Sequence, residues 1–174
     1  SGTAYRAPHE SSDPVSDLVQ GGVLAQLGES PQHYHVAYPD GRAGHVEKHA
    51  AMPLRAWLSA RGEPTLAGIE RTARSYLGIP YLWGGTSAKA MDCSGFTQLV
   101  WFQNGALLPR DADQQLRAGV PVDFDSRLDG LEPGDLLFFE AESQPGKIVH
   151  VGIYLGGGSF VHASQDVHIS SLLE

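Results

Sequence analysis

The sequence predicts an α+β protein in two parts, with short strands first and then helices packed on an antiparallel sheet. Three observations predict it. Residues 1–57 carry many turn signals and no long helical period. Two runs with helical spacing follow, one after Thr65 and one opening at Cys93. A strongly β-prone run, Lys147–Leu155, then meets Ser159–Ala163 across Gly156-Gly157-Gly158, which is a hairpin signature.

Composition limits the function classes. The 174 residues are 41% hydrophobic and 18% charged, enough for one medium domain or two small ones with a sizeable core. Twelve Lys and Arg against 20 Asp and Glu leave a formal charge of -8, which argues against nucleic acid or an anionic membrane as partner. Small zwitterionic or peptidic ligands remain open, and a monomer is expected. One cysteine excludes an internal disulfide and leaves the redox compartment open. No run is long enough to span a bilayer, and the first residues lack the pattern of a signal peptide. Localisation therefore stays open between the cytoplasm and the cell envelope. Residues 167–174 read as structured up to the last residue, so a continuation downstream is expected.

Within residues 1–57, Val23–Leu27 and His33–Tyr38 read as strands. The second runs into Pro39-Asp40-Gly41, where Pro presets φ and Gly takes a positive φ, and Ala43–Val46 completes the hairpin. Tyr5-Arg6-Ala7-Pro8, Gly28-Glu29 and Val36–Val46 together resemble a bacterial SH3-type barrel, with His45 where the tryptophan of a Gly-Trp-Val strand usually stands. His33, His35, His45 and His49 are of the type that most often binds zinc. No carboxylate or thiolate stands beside them at a regular ligand spacing, so a histidine-rich polar face is expected, with no metal and no cofactor.

Pro53, Gly62 and Pro64 mark a linker, set at residues 58–64, and residues 65–174 form the second domain. Thr65 caps a helix whose Leu66, Ile69, Ala73, Tyr76 and Leu77 recur at helical spacing until Gly78 and Pro80. The glycines of Tyr81-Leu82-Trp83-Gly84-Gly85 allow close backbone approach. Asp92 is the expected N-cap of a helix that opens at Cys93, faces Phe96, Leu99 and Val100 inward, and closes at Asn104-Gly105. In that first turn, free amides and the positive helix end favour the thiolate, the reactive form of cysteine.

A nucleophilic thiol needs a base, and histidine is the usual one. His150 and His162 are the downstream choices. With the loop centred on Gly156 they are direct cross-strand neighbours on one face, so one ring can orient the other. Spacing alone leaves another reading open, two unrelated histidines in a half-buried hairpin.

Six motifs in order, Tyr81–Gly85, Asp92–Phe96, Pro109-Arg110-Asp111 with Gln114, Leu131–Leu136, His150–Leu155 and His162-Ala163-Ser164, resemble the NlpC-type papain-like cysteine peptidases of bacteria. The resemblance implies a papain-like fold with Cys93 as nucleophile, His150 as base and acid, and His162 as the orienting third residue. It implies that the Tyr81 hydroxyl helps to hold the oxyanion. The implied substrate is a peptidoglycan stem peptide, cut between γ-D-glutamate and a diamino acid. In relatives with an SH3-type domain, a free N-terminal L-alanine is often required. Asp92, Ser94 and Asp111 fall at the positions that recognise its amine, Ala112 stands where a serine is common, and Trp83 borders the site. An acid from the barrel, Asp17 or Glu10, is expected to complete the amine pocket. Asp92 and Asp111 can equally serve as helix caps, the latter for a helix over residues 112–118. An acyltransferase or amidase with the same residues, or a non-catalytic wall-binding protein, are the competing functions.

Overall fold

Short alternating segments separated by turns build the first part of the chain. A computed structural model describes residues 2–173, and the chain divides into two units between Arg61 and Gly62. In the first, β1 (Gly2–Tyr5), β2 (Pro14–Leu18), β3 (Ala25–Glu29), β4 (His33–Ala37) and β5 (Ala43–Glu47) pair antiparallel in the order β2-β1-β5-β4-β3. Period-two alternation sorts β4 into two faces. Val36 joins Ala4 and Val46 in a small core, while His35 stacks on its cross-strand partner His45 with ring centroids 4.7 Å apart. The turn after β4 closes by a Gly41 amide donating to the Tyr38 carbonyl at 3.0 Å, with Gly41 at φ 87°.

The stretch read as a linker is partly helical: α1 spans Leu54–Ala60, none of it buried. Pro53, Gly62 and Pro64 flank this segment without interrupting it, and proline is tolerated where a helix begins.

The second unit opens with α2 (Leu66–Arg74), whose N-cap Thr65 accepts from the Gly68 amide at 3.2 Å. Ile69 and Ala73 are buried, as is Tyr76 just beyond the helix, but Leu66 and Leu77 are exposed. The helix stops at Arg74, so Leu77 falls in the turn before Gly78 and leaves the apolar stripe. A two-stranded ribbon, β6 (Thr86–Ser87) with β7 (Ala90–Met91), leads into α3 (Cys93–Gln103) and then α4 (Ala112–Ala118). Strands β8 (Leu136–Ala141), β9 (Gln144–Gly156), β10 (Ser159–Ala163) and β11 (Val167–Ser171) form an antiparallel sheet ordered β11-β10-β9-β8. Phe96, Leu99 and Val100 of α3 share one core with Ile69 and Ala73 of α2 and with Ile153, Val161, Ala163 and Val167 of the sheet. No helix among the described residues is long and apolar enough to cross a membrane.

The β9–β10 hairpin differs in register from the sequence expectation. Its tight turn is Gly157-Gly158, both at positive φ, and a bulge follows between Ser159 and Phe160. His162 therefore faces Gly152, and His150 is its diagonal neighbour. A shift of two residues preserves the face, so the rings still meet. Gly152 has no room for a side chain, since a Cβ there would lie 2.8 Å from the Phe160 ring and 3.2 Å from the His162 Cβ.

Phe96 is fully buried where α2, α3 and the sheet converge. Phe96→Ala is expected to cost about 3–5 kcal/mol, measured by urea unfolding followed by circular dichroism. A loss below about 1 kcal/mol would contradict this packing.

Candidate active site

The first turn of α3 is buried on all sides, unlike an ordinary surface helix: Cys93, Ser94, Gly95, Phe96 and Thr97 are all inaccessible or nearly so. This requires the preceding loop to lie directly on it. The Asp92 amide donates to the Gly85 carbonyl at 3.1 Å, and a Cβ on Gly95 would collide with that same carbonyl oxygen. Gly85 is equally confined, with room for no Cβ beside the Ala90 carbonyl at 2.7 Å.

Asp92 is the N-cap the sequence predicts: its Oδ1 accepts from the Gly95 amide at 2.7 Å. It also does more. Oδ2 accepts from the Gly84 amide at 2.9 Å, and Arg110 forms a bidentate pair, Nη1 to Oδ1 at 3.0 Å and Nη2 to Oδ2 at 2.6 Å. Burial alone would raise the Asp92 carboxyl, but the Arg110 guanidinium and the Gly95 and Gly84 amides more than offset it and hold the group below its usual range. Arg110 Nη1 donates to Ser94 Oγ at 2.9 Å as well. Both Asp92 and Ser94 are thus engaged within the protein.

Asp111 occupies the N-cap position of α4, but its side chain makes no capping bond and is exposed. Trp83 is 84% exposed. Asp17 lies in β2 of the first unit, exposed and paired across the strands with Thr3. Gln114 is exposed; its neighbour Gln115 is the buried one. The Gln115 amide donates to the Ser94 and Pro109 carbonyls at 3.0 and 2.9 Å and its oxygen accepts from the Thr97 hydroxyl at 2.7 Å. Sequence reading named Arg110 only within a motif and passed over Gln115, because nothing along the chain says which face of a seven-residue helix turns inward.

Cys93 is 8% exposed. The amides of Val151, Ser94 and Cys93 itself favour the thiolate, yet burial outweighs them and, with the Asp92 charge, pushes the thiol up. The expected stabilisation by the helix start is present but is not the winning effect. Beside Cys93, burial and the nearby Cys93 and Asp92 charges push the Tyr81 hydroxyl up, so it stays protonated as a donor.

Val151, whose amide serves the sulfur, follows His150 directly. His150 Nε2 lies 2.7 Å from His162 Nδ1, with the rings nearly perpendicular. That bond leaves His150 Nδ1 as the nitrogen available to a thiol. Phe139 packs on the His150 ring and Phe160 on the His162 ring. Burial keeps both imidazoles neutral: His150 is lowered, with the His168 charge contributing, and His162 is brought down to about 4, with His150 and His168 contributing. Burial thus favours the neutral form of the thiol and of the imidazole alike.

The helix-borne Cys93 thus takes the amide of Val151, and His150 and His162 meet on the antiparallel sheet of an α+β unit. Residues 78–174 match the sequence model of the NlpC/P60 family, and the chain belongs to that family. It is 43% identical over 173 residues to gamma-D-glutamyl-L-lysine dipeptidyl-peptidase of Bacillus subtilis (strain 168), covering 98% of this chain and 54% of that protein. Similarity to the probable endopeptidase NlpC of Escherichia coli (strain K12) is 38% over 117 residues, or 67% of this chain and 72% of the relative. Among solved structures, an NlpC/P60 family protein from Bacillus cereus ATCC 10987 superposes with a TM-score of 0.74 at 30% identity, over 99% of this chain and 56% of that one. The chain spans about half the length of the Bacillus relatives it matches.

The lowered His162 value carries a stability prediction. Above pH 6.5 His162 is neutral folded and unfolded alike, so it adds nothing. As pH falls from 6.5 towards 4 the unfolded chain takes up a proton that the folded chain refuses, and stability is lost. The full shift corresponds to about 3 kcal/mol, of which roughly 2 is lost by pH 5. In urea titrations at pH 7 and pH 5, His162→Asn is expected to lose correspondingly less than wild type. Parallel losses would contradict a neutral buried His162.

Proposed function

We propose that the chain is the catalytic part of a cysteine peptidase that hydrolyses the bond between γ-D-glutamate and a diamino acid in peptidoglycan stem peptides, with preference for a free N-terminal L-alanine. The carrying observation is the His150 Nε2 to His162 Nδ1 contact of 2.7 Å beside a buried thiol at a helix start. Family membership and relatives named gamma-D-glutamyl-L-lysine dipeptidyl-peptidase support the substrate class. Residues 1–57 are read as an SH3-type domain, supported by five short antiparallel strands around a small core.

In this reading Cys93 Sγ gives its proton to His150 Nδ1 and attacks the γ-carbonyl carbon. The tetrahedral oxyanion is held by the Tyr81 hydroxyl and the Cys93 backbone amide. His150 returns the proton to the departing diamino-acid amine as the C–N bond breaks, leaving a thioester on Cys93. Water gives a proton to His150 and attacks the thioester carbon; the C–S bond breaks, His150 returns the proton to sulfur, and the γ-D-glutamyl product leaves as its acid. The neutral thiol–imidazole pair makes His150 the base that acts when substrate arrives. Asp111, exposed and without a capping bond, takes the substrate ammonium in this reading, whereas Asp92 is committed to its bidentate pair with Arg110. Trp83 borders the peptide, Ser94 braces Arg110, and a murein tripeptide released during wall recycling is the fitting substrate.

The test incubates the protein with L-Ala-γ-D-Glu-diaminopimelate and with its N-acetylated form, reading products by mass. Release of L-Ala-γ-D-Glu from the free peptide is expected, with loss of cleavage in Cys93→Ala. Asp111→Asn should raise KM for the free peptide by roughly tenfold or more, leaving the acetylated peptide unaffected. Undiminished cleavage by Cys93→Ala would sink the mechanism, and equal cleavage of both peptides would sink the amine requirement.

A further inference from the structure

The histidine pair does not end at His162. Its far nitrogen, Nε2, lies 2.9 Å from Ser170 Oγ on β11. Ser170 pairs across the strands with Phe160, next to the His162–His168 pair, and is half-buried. We propose that Ser170 is a positioning residue for the base. Its hydroxyl oxygen accepts the His162 Nε2–H and, through His162, holds His150 with its proton on Nε2 and a lone pair on Nδ1. The inference rests on Cys93 and His150 being nucleophile and base.

Proton counting carries the argument. Each neutral imidazole has one N–H and one acceptor nitrogen. Two rings joined Nε2 to Nδ1 can therefore be ordered in only two directions. In one, His150 Nε2–H donates to His162 Nδ1 and His162 Nε2–H donates onward. In the other, His162 Nδ1–H donates to His150 Nε2, which places the His150 proton on Nδ1 and removes the lone pair a thiol needs. Only the first order yields a base at Nδ1. It is also the only order that survives the reaction. Once His150 takes the sulfur's proton, both its nitrogens donate, and His162 Nδ1 must accept.

That order leaves an N–H at His162 Nε2, on a ring that is 8% exposed. Without an acceptor there the productive order is penalised, because a buried donor would go unpaired. Among the described residues, Ser170 is the group bonded to that nitrogen. The Phe160 ring, centred 4.6 Å from that of His162, has no polar atom. His168 stands at 4.4 Å with its ring inclined 60° to that of His162, and its Nδ1 is engaged by the Asp166 carbonyl and Oδ1 at 3.1 and 2.9 Å. Ser170 is the polar partner recorded for Nε2. Its half-exposed setting lets the hydroxyl hydrogen turn to water while the oxygen accepts. No motif read along the chain includes this serine.

The test compares the full chain with Ser170→Val and Ser170→Thr, an isosteric pair that differs in the hydroxyl. The His162 tautomer is read by long-range ¹⁵N–¹H correlation on imidazole-labelled protein without substrate, and kcat and KM are read on L-Ala-γ-D-Glu-diaminopimelate. Wild type and Ser170→Thr are expected to carry the His162 proton on Nε2. Ser170→Val should lose that single tautomer and drop kcat about tenfold with little change in KM. A Val variant with wild-type tautomer and kcat would overturn the assignment, as would a Thr variant as impaired as Val, because shape would then matter and not the hydroxyl. The tautomer readout needs no turnover. A wild type that fails to cleave the peptide refutes the proposed function, while the spectrum still decides the role of Ser170.

Discussion

One carboxylate holds the second unit's chemistry in place. Asp92, 5% exposed, gathers two backbone amides and a bidentate guanidinium, and each donor comes from a different segment. Gly84 belongs to the glycine loop, Gly95 to the first turn of α3, and Arg110 to the approach to α4. A buried carboxylate of this kind depends on its cation, because removing Arg110 would leave the charge uncompensated. The position of Cys93 follows from that constraint, since it sits between the capped residue and the glycine where loop and helix touch.

Buried polarity recurs on the sheet side. His150 and His162 are kept neutral by desolvation, and Gly152 opposite His162 has no room for a side chain. The sulfur meets the same effect, being lifted by burial against three amides that would ionise it. A centre of neutral partners has a consequence: charge is created only when a proton moves between them. Hydrogen-bond direction then matters as much as distance, which gives the polar atoms around the histidine pair their importance.

The first unit relies on different physics. Its small core of Ala4, Val36 and Val46 is assembled by strand alternation and tight turns, and its other face carries the stacked His35 and His45. Imidazoles stacked across a strand pair satisfy one another as aromatic surface. Burial lowers His45, with repulsion from His35 and His33 adding to it.

Much of this was legible along the chain. The helix start at Cys93 with Asp92 as its cap, the Pro-Asp-Gly turn, the glycine hairpin and the face shared by His150 and His162 all follow from local rules of period, capping and turn conformation. What local rules do not reach is register and orientation. Whether the hairpin turns at Gly156 or at Gly157-Gly158 moves His150 by one diagonal, and the bulge that decides it depends on the whole strand pair. That Gln115 and not Gln114 turns inward depends on what α4 packs against. Arg110 lies 18 positions from Asp92 and Ser170 lies eight from His162, with no periodicity linking either pair. Local sequence determined which residues have the chemistry for the site. Only tertiary packing decided which of them are buried, and burial sets whether a carboxylate is free, a thiol ionised or an imidazole neutral.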